Sequence, residues 1–205
     1  MTVLPPRSRN PKGEGERLRH DIIQAAVALI GESGQEGLSL RAIARRAGVT
    51  APAIYGHFDD LDSVRRAVVD NAFAEFAAYL RRHGGDHENP ADRLRALCRA
   101  YTAYGIEQPQ QYAVMFGSAA KPPTEAVADS IVDMPGGEAF TLLLDAIRAC
   151  AAAGASHSSE PYNDALAVWI ALHGYVGLHA SVSDIPWPAG DALLDTIIER
   201  LAQLD

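Results

Sequence analysis

Tyr55 and His57 stand close together in the segment TAPAIYGHFDD, residues 50–60, and both side chains can donate a proton to a partner. A histidine beside a carboxylate is one arrangement that supports general acid–base catalysis. Proximity in sequence to Asp59 or Asp60 does not supply the nucleophile or the oriented partner that such catalysis requires. The alternatives are that Tyr55 and His57 belong to a hydrophobic core or lie on a binding surface.

Other residues with reactive side chains form no pattern typical of a catalytic or metal site. The chain of 205 residues contains only two cysteines, Cys98 and Cys150, and neither lies in a C-x-x-C or Cys/His cluster. The spacing therefore predicts free, buried thiols in a reducing, cytoplasmic setting, with no disulfide, metal or cofactor. No Ser/His/Asp arrangement or phosphate-binding loop is visible, so an enzyme is the weaker alternative.

The elements that position Tyr55 and His57 are predicted to be short helices. A first helix is expected over residues 17–30, where apolar residues recur at helical spacing. Ser39 is placed to cap a second short helix, which Gly48 ends. Thr50 begins the next helix almost at once, with Pro52 in its first turn. Two helices joined by so short a turn and packed on a longer one indicate a helix-turn-helix.

The remaining sequence also predicts helices, and no segment alternates with the period of a β-strand. We expect an all-α fold of about nine helices, with an N-terminal three-helix helix-turn-helix domain and a larger helical bundle. The apolar run Ala165–Ser183 contains two histidines and is rich in alanine, so it is interpreted as a fully buried helix and not a membrane span. The later helices are expected over residues 61–82, 91–107, about 108–118, 138–153, from 162, and 191–204.

Charge is unevenly distributed and supports this division. Residues 1–66 contain ten basic and eight acidic side chains, whereas residues 67–205 contain eight basic and eighteen acidic ones. A locally basic head on an acidic body is typical of a nucleic-acid-binding segment attached to a domain with another role. We therefore predict a disordered basic arm over 1–16, a DNA-binding domain over 17–66, and a second domain over 67–205.

The segment from Leu18 to Val69 resembles the N-terminal DNA-binding domain of the TetR family of transcriptional repressors. The shared features are the alanine-rich first helix, the IA…AGV turn and the closing Y-x-H-F. The resemblance implies sequence-specific binding to double-stranded operator DNA and regulation of transcription. Ile54 and Phe58 are expected in the core. The expected base contacts are Thr50, Ala51 and Ala53, and the expected phosphate contacts are Arg41, Tyr55 and His57.

One departure from the family pattern concerns the start of the next helix. The family usually carries a phosphate-contacting lysine at the position of Leu61, and here Asp59, Asp60 and Asp62 flank it. These acids can cap the helix, but acids close to phosphates weaken DNA binding. The basic arm is one possible compensation. The alternative is a TetR-like protein that binds a ligand or partner with weak or no specific binding to DNA.

The C-terminal segment WIALHGYVGL resembles the WHG-type ligand-binding and dimerisation domain of one branch of the family. This implies an unidentified small-molecule effector that releases a repressor from its operator, and a homodimer formed through the last two helices. Trp169, His173 and Val176 share one helical face, while Gly174 and Gly177 lie on another and permit close approach of a second helix. The candidate pocket residues are Tyr101, Tyr104, Met115, Phe116, Phe140, Trp169 and His173.

Overall fold

A computed structural model describes residues 14–34, 37–117, 130–182 and 184–205. The described residues contain nine α-helices and no β-strand, in agreement with the predicted all-α fold. The helices are α1 Glu14–Ser33, α2 Leu40–Ala47, α3 Ala51–Ile54, α4 Leu61–His83, α5 Pro90–Glu107, α6 Pro109–Phe116, α7 Gly137–Ala152, α8 Pro161–Ser181 and α9 Ala192–Leu201, with a 3-10 turn at Ile131–Asp133 before α7.

The chain forms two compact units that divide between Val68 and Val69. In the first unit, α1, α2 and α3 pack around apolar side chains that are fully or almost fully buried. These are Ile22 of α1, Ile43 of α2, Ile54 of α3, and the following Phe58 and Val64. Burial of one such side chain typically contributes about 1.5–3 kcal/mol. Ile54 and Phe58 therefore fix α3 to its neighbours, as the sequence predicted.

The turn between α2 and α3 follows from local sequence signals. The Ser39 hydroxyl oxygen accepts a hydrogen bond of 3.2 Å from the backbone N–H of Ala42 and caps α2. Gly48 ends α2 with φ of +70°, a conformation that is strained for residues with a side chain. Thr50 is extended and precedes α3, and Pro52 lies in the first turn of α3, where it removes no helical hydrogen bond.

The first helix is longer at both ends than the sequence predicted. It begins at Glu14 instead of Arg17, so the last residues of the expected arm are helical, and it ends at Ser33 instead of Ile30. The remainder of the expected arm, residues 1–13, lies outside the described residues. Acidic residues in a first turn favour the N-terminal end of the helix dipole. Gly31 within the helix lowers its stability by only about 1 kcal/mol relative to alanine, too little to end it.

In the second unit, α5, α7 and α8 pack against one another to form the central layer. α5 approaches α8 closely at Gly105, where an added Cβ would lie 2.5 Å from Cγ1 of Val176. Only glycine permits this spacing without displacing Val176. Phe76 of α4 lies edge-on to Tyr101 of α5, with ring centroids 5.1 Å apart, and extends the aromatic core.

The expectation that α8 is fully buried is wrong for the single chain. Val168, Leu172 and Val176 are buried, but Ile170 is 65% exposed and Leu178 is 47% exposed. An apolar helix with no charged face can bury one side in its own core and leave the other side for another surface. The sequence pattern does not distinguish this case from complete burial.

The last helix, α9, ends at Leu201 and is shorter than the predicted 191–204. It packs on α8 and α5, and ion pairs connect it to α5. Arg99 lies 2.6 Å from Asp195 and 3.2 Å from Asp191, and Arg95 lies 3.2 Å from Glu199. After α9, Gln203 has a φ of 52°, which is not helical, and Leu204 forms an isolated backbone bridge with Ser156.

None of the helices in the described part of the chain combines the length and apolar character that crossing a membrane would require.

Candidate nucleic-acid interface and interior cavity

The side chains predicted to contact DNA lie at or near the surface of the first unit. Arg41, Thr50 and Tyr55 are exposed, with Tyr55 at 59%, and Ala51, Ala53 and His57 are partly exposed. The Thr50 side chain makes no capping hydrogen bond to α3, so its hydroxyl is not used by the helix start. Because Ile54 and Phe58 point into the core, Tyr55 and His57 are presented outward by the same short segment.

Residues of α1 contact the helix-turn-helix at three points near this surface. A Cβ placed on Gly15 would lie 3.6 Å from Cε1 of His57, so the first turn of α1 lies beside the imidazole. The Arg19 guanidinium carbon lies 5.1 Å from the centre of the Phe58 ring, a cation–π contact. Arg19 of α1 therefore packs on the helix-turn-helix. Arg46 is engaged by an ion pair with Glu32 of α1.

The acids around Leu61 are partly occupied by local interactions. Asp60 accepts a hydrogen bond of 2.7 Å from the backbone N–H of Ser63, and the Ser63 hydroxyl donates to the Asp60 carbonyl oxygen. The hydrogen bond from the Ser63 backbone lowers the pKa of Asp60 and keeps its carboxylate ionised. Asp62 forms an ion pair of 2.8 Å with Arg65. Asp60 thus caps α4, as the sequence suggested.

The second unit contains a partly open apolar cavity of about 50 Å³ between α4, α5, α7 and α8. Four of the seven predicted pocket residues line it: Tyr101, Phe116, Phe140 and Trp169. No charged side chain is among the described residues that form its wall. Mostly apolar walls with few polar groups are typical of sites for small molecules. Binding of a ligand at these four residues remains a prediction.

The other three predicted pocket residues lie elsewhere. Tyr104 packs on Phe76, with ring centroids 4.8 Å apart, and lines an open surface groove beside Tyr79. Met115 is 2% exposed and belongs to the core. His173 is outside the cavity wall and is half-buried beside the Tyr112 ring, with centroids 5.6 Å apart. Tyr101 and Tyr104 of α5 thus differ, because Tyr101 lines the cavity and Tyr104 does not.

A chain of hydrogen bonds connects the cavity wall to α8. The Tyr101 and Tyr112 hydroxyl oxygens are 3.1 Å apart, and the Tyr112 hydroxyl lies 2.7 Å from Nδ1 of His173. Burial raises the pKa of Tyr101 to about 12, although hydrogen bonds with Tyr112 and Trp169 act in the opposite direction. Burial also raises the pKa of Tyr112 and lowers the pKa of His173. All three groups are therefore uncharged at neutral pH.

Several cavity residues were not predicted from the sequence. Cys98 lines the wall as a free thiol, and burial raises its pKa to about 12, so it is the inert, buried cysteine that was expected. Within the described ranges, no group of three or more His, Cys, Asp and Glu residues could hold a metal ion. Periodicity marks four others as core residues but does not show that they adjoin a space: Phe73, Phe76, Leu80 and Leu143. Met134 lies before α7, outside any helix, and no periodic pattern points to it.

Comparison with known protein families agrees with both units. Residues 22–68 match the family described as bacterial regulatory proteins, tetR family. Residues 94–201, more than half of the chain, match the family described as tetracyclin repressor-like, C-terminal domain. The second match includes the W-x-x-x-H-G segment of α8.

Individual relatives cover most of the chain. An uncharacterized HTH-type transcriptional regulator of Mycobacterium tuberculosis is 25% identical over 186 residues, which are 90% of this chain and 79% of that protein. A structure of a protein of unknown function from Rhodococcus sp. RHA1 has a TM-score of 0.72 and 24% identity, covering 98% of this chain and 95% of that one.

A third relative has been solved with two bound partners. The structure of AibR in complex with isovaleryl coenzyme A and operator DNA has a TM-score of 0.60 and 17% identity, covering 92% of this chain and all of that one. At that identity the likeness shows a common fold. The two family matches, which together extend from the helix-turn-helix to α9, show that this chain belongs to the TetR family of DNA-binding transcriptional regulators.

Proposed function

We propose that this regulator is a repressor that binds operator DNA through α2 and α3 and is released when a small molecule occupies the cavity. Residues 17–66 would form the DNA-binding domain, and residues 67–205 the ligand-binding and dimerisation domain. The observation that carries the proposal is the exposure of Thr50 and Tyr55 on a segment whose Ile54 is fully buried. A rigid anchor beneath exposed polar groups is what recognition of a DNA surface requires.

Base recognition is assigned to the first residues of α3. Ala51 and Ala53 carry only methyl groups, which can contact the methyl group of thymine. They cannot form hydrogen bonds with the donors and acceptors on the base edges. The Thr50 hydroxyl, which caps no helix, is the one polar group in this set that can bond to a base. We therefore expect few direct hydrogen bonds to bases, and a preference for thymine at the positions that face α3.

Phosphate contacts are assigned to Arg41, Tyr55 and His57. A guanidinium, a phenol O–H and an imidazole N–H can all donate to phosphate oxygens, and such contacts fix register without reading sequence. The basic residues Arg7, Arg9 and Lys12 lie outside the described residues. The first turn of α1, which follows them in the sequence, lies beside His57. We propose that they add electrostatic attraction to the DNA backbone.

A homodimer through α8 and α9 accounts for the exposed apolar face of α8. Ile170 and Leu178 are exposed, and Cβ atoms placed on Gly174 or Gly177 would meet no atom within 4 Å. On α9, three apolar residues at four-residue spacing are partly exposed: Leu193, Ile197 and Leu201. A two-fold axis would pair these helices into a four-helix interface and present two recognition helices about 34–36 Å apart.

Release by an effector requires the ligand to bind the DNA-incompetent state more tightly than the DNA-bound state. The cavity between α4, α5, α7 and α8 supplies the place for the ligand. The AibR structure holds a small molecule and operator DNA together, so proteins of this fold can accommodate both partners. No catalytic step forms part of the proposed role.

A second candidate is a TetR-like ligand- or partner-binding protein without specific DNA binding. The replacement of the family's lysine by Leu61, with Asp59, Asp60 and Asp62 around it, favours this reading. Against it, Asp60 is used in capping α4, and Asp62 is paired with Arg65. The ion pair with Arg65 offsets the charge of Asp62, whereas Asp60 stays ionised in its capping role.

Selection of bound duplexes from randomised DNA separates the two candidates. The repressor predicts enrichment of a sequence with two-fold-related half-sites, centred about one duplex turn or a multiple of it apart. Recovery of unenriched DNA, with and without a lysate extract that supplies small molecules, would support the second candidate. A Tyr55→Phe/His57→Ala protein carried through the same selection serves as the matched control.

A further inference from the structure

We propose that the cavity takes a neutral, mostly apolar molecule about the size of one aromatic ring, with a single hydroxyl or carbonyl group bound by Tyr101. This inference rests on the proposed function, because it names the class of effector that the cavity of the regulator would bind. It follows from the charge of the wall, the arrangement of its rings, its volume and the position of its polar group.

The described part of the wall disfavours ionised ligands. The described residues around the cavity include no arginine, lysine, aspartate or glutamate. A carboxylate or ammonium group buried among these residues would lose its hydration and gain no partner of opposite charge from them, which disfavours binding. Cys98 does not change this, because burial raises the pKa of its thiol to about 12 and keeps it neutral.

The aromatic rings of the wall present both faces and edges. Phe73 and Phe116 are perpendicular, with centroids 5.3 Å apart, and Phe140 and Trp169 are tilted by 71° at 6.2 Å. A perpendicular pair leaves the face of one ring and the edge of the other available to an inserted ring. Edge-to-face and offset-stacked contacts stabilise aromatic pairs beyond their apolar area, so the wall favours an aromatic occupant.

The volume limits the size of this occupant. About 50 Å³ is roughly a third of the 150 Å³ in which an engineered apolar cavity of another protein holds benzene. Entry of one ring therefore requires side chains of the wall to move. Met134 is the wall residue suited to move, because it is 47% exposed and its side chain is unbranched.

Tyr101 supplies the hydrogen bond, and its partners allow either polarity. If Tyr101 donates to Tyr112, and Tyr112 donates to Nδ1 of His173, the Tyr101 oxygen can accept from a ligand hydroxyl. If the proton lies on Nδ1 of His173, the chain reverses, and Tyr101 can donate to a ligand carbonyl. The N–H of Trp169 can only donate, so in either arrangement it occupies one lone pair of the Tyr101 oxygen and leaves the other lone pair or the O–H for a ligand. Both arrangements keep every group neutral, so an alcohol or a ketone fits, whereas a hydrocarbon leaves Tyr101 without a ligand partner.

The test is calorimetric titration of the full-length chain with four probes of similar size at pH 7. We expect 4-methylphenol and 4-methylacetophenone to bind at least tenfold more tightly than toluene. We expect 4-methylbenzoate to bind at least a hundredfold more weakly than 4-methylphenol. Tyr101→Phe should remove the tenfold advantage of the phenol and the ketone while leaving toluene unchanged. Tyr104→Phe is the matched control, because Tyr104 is a buried tyrosine of the same helix outside the cavity wall.

Three results would overturn the ligand class: 4-methylbenzoate binding as tightly as 4-methylphenol, no binding by any neutral probe at millimolar concentration, or equal losses in Tyr101→Phe and Tyr104→Phe. Duplex binding by the same preparation is measured separately. A protein that binds its selected duplex but none of the neutral probes contradicts this inference and leaves the proposed function intact. A protein that binds the phenol but no duplex supports the inference and contradicts the repressor.

Discussion

The Tyr112 hydroxyl of α6 lies 2.7 Å from Nδ1 of His173 in α8, and this contact ties two helices of the second unit together at a polar point within an apolar core. His173 is the histidine of the W-x-x-x-H-G segment of α8, and its partner Tyr112 begins the segment YAVMF, residues 112–116. The pair is therefore a satisfied, half-buried hydrogen bond.

His173 should make the stability of the protein depend on pH. Burial holds the pKa of His173 in the folded chain below the value of about 6.5 that an unfolded histidine has. As pH falls below 6.5, the unfolded chain binds a proton first, so the folded chain loses stability. We expect Tm to fall more steeply between pH 7 and 5.5 in the wild type than in His173→Asn, whose amide can keep a hydrogen bond to Tyr112. Parallel Tm curves for the two proteins would show that His173 does not contribute.

Loss of the phosphate contacts should weaken DNA binding without regard to sequence. Each hydrogen bond to a charged group contributes about 1.5–3 kcal/mol, so Tyr55→Phe/His57→Ala should raise Kd by at least roughly tenfold on selected and shuffled duplexes alike. Tm should stay within a degree or two, because Tyr55 is exposed and His57 only partly buried. Fluorescence anisotropy measures Kd, with Tyr162→Phe, an exposed tyrosine of the other unit, as control. An unchanged Kd would remove these residues from the interface.

Ile170→Asp should convert the proposed dimer to a monomer. The substitution places a carboxylate on the exposed apolar face of α8, and two-fold symmetry would bury it in both subunits at once. We expect light scattering to report the mass of one chain at micromolar concentration, and operator affinity to fall with it. Ile106→Asp is the matched control, since Ile106 is an exposed isoleucine of α5. A dimeric Ile170→Asp would contradict an interface on this face.

Arg99→Met should weaken the attachment of α9 to α5. Arg99 pairs with Asp191 and Asp195 but is 41% exposed, so the expected loss is about 0.5–1 kcal/mol of the free energy of unfolding. Urea denaturation should show this loss at low salt and little of it in 1 M NaCl, where charges are screened. Arg148→Met removes an exposed ion pair with Asp145 within α7 and should lower the free energy of unfolding by less. Equal losses of unfolding free energy in the two variants would mean that the ion pairs of Arg99 do not hold α9 on α5.

The helix-turn-helix could be predicted because its signals are local. Ser39 and Gly48 mark the ends of α2 by their own chemistry. Ile54 and Phe58, which the family resemblance places in the core, are buried as expected. The acidic cap of α4 at Asp60 is equally local. The ends of α1 were less predictable, because a single glycine is a weak helix breaker and the helix continues through Gly31.

The cavity could be predicted only in part, because it depends on how helices rotate and pack. Tyr101 and Tyr104 are both buried aromatic residues of α5, but three positions rotate a side chain by about 60° around the helix, and only Tyr101 reaches the cavity. The α4 wall of Phe73, Phe76 and Leu80 gave no signal beyond that of a core. The exposure of Ile170 could likewise not be predicted, because the sequence of α8 is apolar on all sides.

The most direct test of the account is the affinity of the purified protein for its selected duplex and for a shuffled duplex at several salt concentrations between 50 and 300 mM. The repressor predicts a preference of roughly a thousandfold or more for the selected duplex, and a log–log salt slope that corresponds to several phosphate contacts. Equal affinity for the two duplexes, with little dependence on salt, would contradict specific DNA recognition by this member of the TetR family.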